Sequence, residues 1–470
     1  MNLGVKGATV APPNLPHRIL PDSPDLAALH QERPERYPHL LQSVSHGTAR
    51  ARYDILFAFP GTTLALEAGG RLCRDGQEIG PGGFLAAFDD LWRAHAQPSR
   101  EPGHDTRLPF TGGWFVFFGY ELAAEIEPVL GRLPADPALP VACAVRFPAA
   151  VIRDHATRRT HLVCEPEAAA RLLPQMELDI HRLRAPRRAA VAVEEIAEED
   201  PARFLAGVEK VQEYIRAGDV YQVNLSRLWR ARLRRPAPSV ELYRRLCAAN
   251  PAPFAALATF PGDRAILSSS PERLVEVRDG VIRTRPIAGT YPRSREPAQD
   301  RAAAQELLRH PKERAEHVML IDLERNDLGR LCRLGTVQVS ELMTLESYPH
   351  VHHIVSEIRG ALRAETTPAQ VLRAVFPGGT ITGCPKVRCM QLIAEIERVP
   401  RGAYTGSLGY INHDGSMDLN ILIRTLVRQG DEIRLRAGAG IVADSIPGRE
   451  LNETRAKAKG LLAALGAPTP

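Results

Sequence analysis

No run in the 470 residues comes near the ~20 consecutive apolar residues that a membrane-spanning helix requires. Residues 1–24 are rich in proline and lack the continuous apolar core of a secretory signal, so a cytoplasmic protein is expected. Cysteine is sparse: seven residues, an odd number with no C-x-x-C pair, suit a reducing compartment better than a disulfide framework. An excess of one charge is missing too. Sixty Lys and Arg against fifty-five Asp and Glu leave a formal net charge of +5. The basic residues are dispersed apart from short clusters such as RLRAPRR (182–188), so nucleic acid is not an expected partner. There is no internal repeat at the ~20–50-residue period of solenoids and no long low-complexity tract.

What is present is ordinary globular composition, 44% hydrophobic and 24% charged. The length is about three times the ~150 residues that serve as a prior for one domain. Alternation and aromatic enrichment predict strands over 53–60, 63–67, 113–120, 141–147 and 160–164. A Leu-rich helix follows from 168 towards 183, and the basic, Pro-containing stretch 185–189 reads as a linker. This divides the chain into an N-terminal region, 1–185, packing on a second region, 195–470. The second region opens with a helix that Asp200 caps, Pro201 starts and Gly218 ends. Next comes a strand, 221–229, with Tyr221, Val223 and Leu225 on one face and Gln222, Asn224 and Ser226 on the other. Further strands are expected at 265–269, 273–278, 281–285, 407–411, 419–427 and 433–437, and helices at 311–326, 368–375, 385–397 and 449–465. Strands and helices without regular alternation indicate an α+β fold.

Several groupings have the makings of a site. Glu313 and Glu316 share a helix face, as do Glu450 and Glu453, because residues three apart are neighbours on a helix. Four carboxylates converging from two helices suit Mg²⁺; equally, acidic residues near helix N-termini simply complement the macrodipole. FPGGTITGCPK (376–386) is a Gly/Thr-rich loop entering a helix, either an anion site or an ordinary connection, and it is not a Walker loop. Gly438-Ala439-Gly440 after a strand marks either close ligand approach or a tight turn. His353, beside His352, is a candidate acid or base or a hydrogen-bonded core residue. Glu272 in SSSPER is a candidate acid, and Arg424 and Lys457 are candidate carboxylate anchors or surface ion-pair partners.

Taken together, GDVYQVNLS (218–226), NPAPF (250–254), SSSPERL (268–274), TRPIAGTYPR (284–293), ERAEHVMLIDLERNDLGR (313–330), HVHHIVSEIRG (350–360), FPGGTITGCPKVR (376–388), YTGSLGYI (404–411), MDLNILIRT (417–425), AGAGIVADSIP (437–447) and ETRAKAKG (453–460) resemble the chorismate-utilising enzymes. These segments keep that family's order over about 240 residues. LLQS (40–43), RYDILFAFP (52–60) and GGWFVFFGYE (112–121) match more loosely. The resemblance implies a chorismate-binding fold of mixed, largely antiparallel sheets with flanking helices. It also implies a Mg²⁺ ion held by Glu316 and Glu453, with Glu313 and Glu450 nearby. Substrate contacts carry over to Gly289, Thr290, Tyr404, Arg424, Gly438, Ala439, Gly440 and Lys457; Glu272 matches a general acid, with His353 and Thr380 close to the ring.

Water-adding relatives carry a lysine base where this chain has Gln222, and ammonia needs no such base, so amination is implied. The chain has no G-x-C-x-G nucleophile segment, which implies a separate glutamine amidotransferase subunit as the source of ammonia. YQVNLS, NPAPF, FPGGTITG and the Asn of MDLNILIRT favour amination of chorismate to 4-amino-4-deoxychorismate, towards 4-aminobenzoate and folate. Ala288, where many such synthases carry a nucleophilic lysine, favours the alternative, synthesis of anthranilate. A third alternative is a non-catalytic member that senses tryptophan or scaffolds a glutaminase. Ser43, Pro253 and Phe254 lie in segments that resemble a tryptophan pocket, or serve only the core.

Overall fold

The computed structural model describes residues 16–21, 23–44, 52–97, 108–185, 188–294, 296–347 and 351–466. Two large sheets are built entirely from antiparallel pairings among these residues. The first runs from His17–Leu20 at one edge, through Tyr53–Ala58, Phe254–Phe260, Arg264–Ser270, Thr425–Gln429 and Glu432–Ile441, to Gln222–Leu233 and Val193–Glu198. The second runs from Ile287–Pro292 and Val351–Ala361, through Arg273–Arg278, Met417–Asn420, Ser407–Asn412 and Gly113–Phe118, to Thr63–Leu66 and its neighbours.

Period-two patterning sorts the side chains between layers, since successive strand residues point to opposite faces. Ile55 and Phe57 join Phe115, Phe117, Ile266 and Leu408 in an apolar layer between the sheets. Their neighbours Leu56 and Ala58 face outwards onto helix residues Leu29, Met176, Leu242 and Leu461. Trp114, Val116 and Phe118 do the same on the other side, meeting Phe84, Phe88, Ile321 and Leu372. The architecture is therefore helix, sheet, sheet, helix in four layers. A further cluster packs Phe204, Val208 and Val211 with Leu392 and Ile393 against Val223 and Leu225.

The helix at Pro201–Arg216 is capped as expected, Asp200 accepting from the Ala202 N–H at 3.0 Å. Four expectations need correcting. The 419–427 stretch is two strands, Met417–Asn420 in one sheet and Thr425–Gln429 in the other, because the chain changes sheets at 421–424, with Arg424 left-handed at φ 53°. Gly438 to Gly440 lie inside the Glu432–Ile441 strand, not after it. Within 376–386, Gly379–Ile381 forms a 3₁₀ turn and Gly383–Cys384 a short strand; the helix begins at Lys386, with Pro385 at its N-cap. Tyr221 precedes the Gln222–Leu233 strand and is 70% exposed, so it does not join Val223 and Leu225 in the core. Most of the Pro-rich start, and residues 186–187 of the linker, lie outside the described residues.

Truncating a ring in the layer between the sheets should be costly. Phe57 is fully buried, and Phe57→Ala is expected to lower unfolding free energy by about 3–5 kcal/mol. Urea denaturation measures it, and a loss under about 1 kcal/mol would mean that this layer is not close-packed.

Candidate active site

Two neighbouring strands pass from one sheet to the other at the same level. Arg264–Ser270 pairs with Thr425–Gln429 in the first sheet, and their continuations Arg273–Arg278 and Met417–Asn420 pair in the second. The crossing backbone loses ladder partners, and the three serines of SSSPER help replace them. Ser270 Oγ donates to the Ile421 carbonyl at 2.5 Å and accepts from the Glu272 N–H at 3.2 Å. Ser269 N–H donates to the Arg424 carbonyl at 3.1 Å, and Ser268 and Thr425 hydroxyls bond at 2.9 Å. Glu272 and Arg424 thus sit on adjacent crossings.

Glu272 is 5% exposed, and Thr380 Oγ1 donates to its Oε1 at 2.8 Å. Burial pushes its carboxyl up to about 7, with the Thr380 hydrogen bond and the charges of Lys457 and Arg424 holding it back. Burial likewise lowers the Arg424 guanidinium, against the pull of Tyr404, Glu453 and Glu272. His353, on the Val351–Ala361 strand, is pulled down to about 4 by burial, so its imidazole is neutral at neutral pH. Its Nδ1 lies 3.3 Å from the Gly289 carbonyl oxygen.

The carboxylates predicted on two helices do converge. Pro311–Gly329 carries Glu313 and Glu316, and Pro447–Ala464 carries Glu450, Glu453 and Lys457. Burial raises the carboxyls of Glu313, Glu316 and Glu450, and the charge of Glu453 raises all three further. Gln222 Nε2 donates to Glu316 Oε1 at 2.8 Å, and Lys457 Nζ reaches Glu453 Oε1 at 2.6 Å and the Gly438 carbonyl at 3.0 Å. The glycines matter as gaps. A Cβ on Gly438 would stand 2.6 Å from both Tyr404 Oη and Asn224 Oδ1, one on Gly440 2.4 Å from Gln222 Nε2, and one on Gly289 2.9 Å from Glu313 Oε2. Ala439, between them, turns into the opposite, buried cluster.

Among the described residues no three His, Cys, Asp or Glu side chains form a ready-made cage for a metal ion. Mg²⁺, however, commonly takes only one or two carboxylates and completes its shell with water and substrate oxygen. A set of mutually repelling carboxylates, met by Lys457, the Gln222 amide and the Ser445 hydroxyl, fits a hard cation in its chemistry.

Sequence reasoning passed over a second acidic group on the same helix. Glu324 and Asp327 are buried, and Lys386 Nζ meets Asp327 Oδ2 at 2.6 Å. Burial and the neighbouring Asp327 raise the Glu324 carboxyl. The signal was available as an inward polar stripe at 313, 316, 324 and 327, all at helical spacing. Thr290 pairs with His353 through the backbone, and Ala288 is 6% exposed next to Gly289. Ser43, Pro253 and Phe254 line a separate cleft of about 90 Å³ with Arg273 and Asp418. There Arg273 grips Asp418 through two bonds, at 2.8 and 2.9 Å, and lies over the Phe254 ring. That cleft is well below the ~300 Å³ at which ligand pockets usually begin.

A buried carboxyl raised to about 7, the Arg424 guanidinium, Lys457 and the helix carboxylates thus act on one another within a single region of the fold. Residues 82–463 match the family described as chorismate binding enzyme, and the chain belongs to that family. It is 38% identical over 453 residues to aminodeoxychorismate synthase component 1 of Klebsiella aerogenes, covering 94% of this chain and 97% of that one. It is 42% identical over 360 residues to an anthranilate synthase component I-like protein of Synechocystis sp., covering 76% and 73%. The crystal structure of anthranilate synthase component I from Streptococcus pneumoniae TIGR4 has a TM-score of 0.77 at 34% identity, over 88% of this chain and 93% of that one. The α+β, chorismate-binding fold expected from the sequence is borne out. No helix among the described residues is long and apolar enough to cross a membrane.

Glu272 should be a liability for stability. Its ordinary value is 4.5 and its folded value about 7, so the unfolded chain gives up this proton first. Stability therefore falls as pH rises from about 4.5 to about 7 and is level above. Glu272→Gln is expected to gain on wild type across that window, by roughly 2–3 kcal/mol at about pH 8. Urea midpoints at about pH 5 and pH 8 check this; a difference that does not grow with pH means that the acid is ionised in the folded state.

Proposed function

We propose that this protein is an aminodeoxychorismate synthase component I, aminating chorismate to 4-amino-4-deoxychorismate with Mg²⁺ and ammonia from a glutamine amidotransferase partner. The observation that carries amination is Gln222. Its amide is committed to Glu316, so no base stands there to activate water, and the nucleophile must be one that needs none. Aminodeoxychorismate rather than anthranilate is favoured by YQVNLS, NPAPF and FPGGTITG. The aminodeoxychorismate synthase component 1 of Klebsiella aerogenes is among the near full-length relatives.

In this reading Glu272 gives its proton to the departing ring hydroxyl, which leaves as water; a carboxyl held near 7 is well matched to that task. Thr380 fixes its direction. Arg424, Lys457 and Tyr404 hold the substrate carboxylates at the Gly438–Gly440 gap, with Gly289 and Thr290 on the facing strand and His353 beside the ring. Glu316 and Glu453, assisted by Glu313 and Glu450, would hold Mg²⁺, which when bound neutralises and anchors a substrate carboxylate. Ala288 offers no side-chain nucleophile, so ammonia must make every C–N bond. That one position favours the second reading, anthranilate synthase component I, as does the Synechocystis relative.

Incubation with chorismate, Mg²⁺ and ammonium, followed by identification of the product, separates the two. Aminodeoxychorismate, converted to 4-aminobenzoate only when a lyase is added, is expected; anthranilate without a lyase would replace the first reading by the second. Catalysis (kcat/KM) should fall as pH rises through about 7, as Glu272 loses its proton. Glu453→Ala should cost on the order of 10²-fold or more in turnover with the fold intact by circular dichroism. Unchanged turnover removes the metal assignment, and a folded wild type that binds chorismate without turning it over leaves the non-catalytic alternative.

A further inference from the structure

The Gln222–Leu233 strand turns two amides toward the cleft. Gln222 and Asn224 are two residues apart and share a face, with Asn224 directly opposite Gly440 on the neighbouring strand. The bond from Gln222 Nε2 to Glu316 sets that amide's orientation and leaves its Oε1 buried with no donor. Asn224 Oδ1 is also buried without a donor. Both amides press against glycines of the neighbouring strand: a Cβ on Gly438 would stand 2.6 Å from Asn224 Oδ1 and from Tyr404 Oη, and one on Gly440 2.4 Å from Gln222 Nε2.

Buried acceptors are normally satisfied, so two in one strip point to a ligand rich in donors. Chorismate is not that ligand: its two carboxylates and enol ether are acceptors, and its single hydroxyl is the leaving group assigned to Glu272. Ammonia has three N–H donors and one lone pair. We propose that Asn224 is a binding residue for the nitrogen nucleophile, its Oδ1 and Gln222 Oε1 accepting two N–H bonds so that the lone pair faces the ring. In that step the nitrogen lone pair forms the C–N bond as the ring C–O bond breaks. The hydroxyl departs as water with the Glu272 proton, and the new ammonium returns one proton to the Glu272 carboxylate. The inference rests on the amination reading and adds to it the place where ammonia sits.

The test is ammonium saturation at fixed chorismate and Mg²⁺, using the full chain. Asn224→Val removes the acceptor with a residue at home in a strand, and should raise the KM for ammonium about fivefold to tenfold, one hydrogen bond's worth. The KM for chorismate should stay within about twofold. Asn224→Asp, which keeps an oxygen in place, should restore ammonium saturation. If Asn224→Val does not fold, Asn224→Ser, which withdraws the oxygen from the strip, should give the same shift. An unaltered ammonium KM in the variant that folds, or an equal rise in chorismate KM, overturns this proposal alone. A wild type that makes no aminated product from ammonium removes the amination reading, and this proposal with it.

Discussion

Everything at the candidate site depends on the paired crossing of two antiparallel strands between the sheets. The Arg264–Ser270 and Thr425–Gln429 strands stop pairing at one level and resume as Arg273–Arg278 and Met417–Asn420 on the other sheet. A crossing of this kind leaves polar backbone inside the molecule, and it survives only if each group finds a partner. Here Ser268, Ser269 and Ser270, all fully buried, answer Ile421, Arg424 and Thr425. The same geometry delivers Glu272 and Arg424 to one place from the short connections at 271–272 and 421–424. Side chains carried on strand crossings are held more firmly than side chains on mobile connections, as a proton donor requires.

The electrostatics follow from that burial. Glu272 lies too deep to ionise cheaply, yet Thr380, Lys457 and Arg424 limit how far its carboxyl rises. The result is an acid poised near neutrality, where a donor is both protonated and willing to give its proton up. The carboxylates on the two helices show the opposite design: Glu453 makes Glu313, Glu316 and Glu450 harder to ionise, and Glu313 does the same to Glu316. Such a cluster is unfavourable by itself, which is the physical reason to expect a positive ligand there. Lys457 serves both halves, bonding Glu453 and the Gly438 carbonyl while tempering Glu272.

Much of this was legible in the amino-acid sequence where a local rule governs. The helix starts at Pro201 and Pro368 follow from capping chemistry, Asp200 and Thr367 accepting as their positions demand. The alternating run at 113–118 announced a strand with two different apolar faces. Non-local features were not legible. Residues 419–427 look like one apolar strand because both halves are apolar; only the partner strands decide that the chain changes sheets after Asn420. The glycines at 438 and 440 could mark either a tight turn or close ligand approach, whereas the structure sets them inside a strand where Gln222, Asn224 and Tyr404 come closer than a Cβ would allow. Glu324 and Asp327 were passed over because acidic residues in a helix are ordinarily solvated, and burial is a property of the packed fold.

The features that hold the fold together are not those that choose between products. Crossings, serine contacts and the layer between the sheets belong to the shared fold, which is why relatives of both names align over most of the chain. A preference for one carbon over another needs only a few kcal/mol of difference between transition states. Differences of that size come from single side chains at the rim of the cleft. Ala288 lies beside Gly289 at the register shift between the Ile287–Pro292 and Val351–Ala361 strands and is buried. Overall similarity therefore identifies the family, while the choice among its reactions rests on individual side chains that similarity over the whole chain does not resolve.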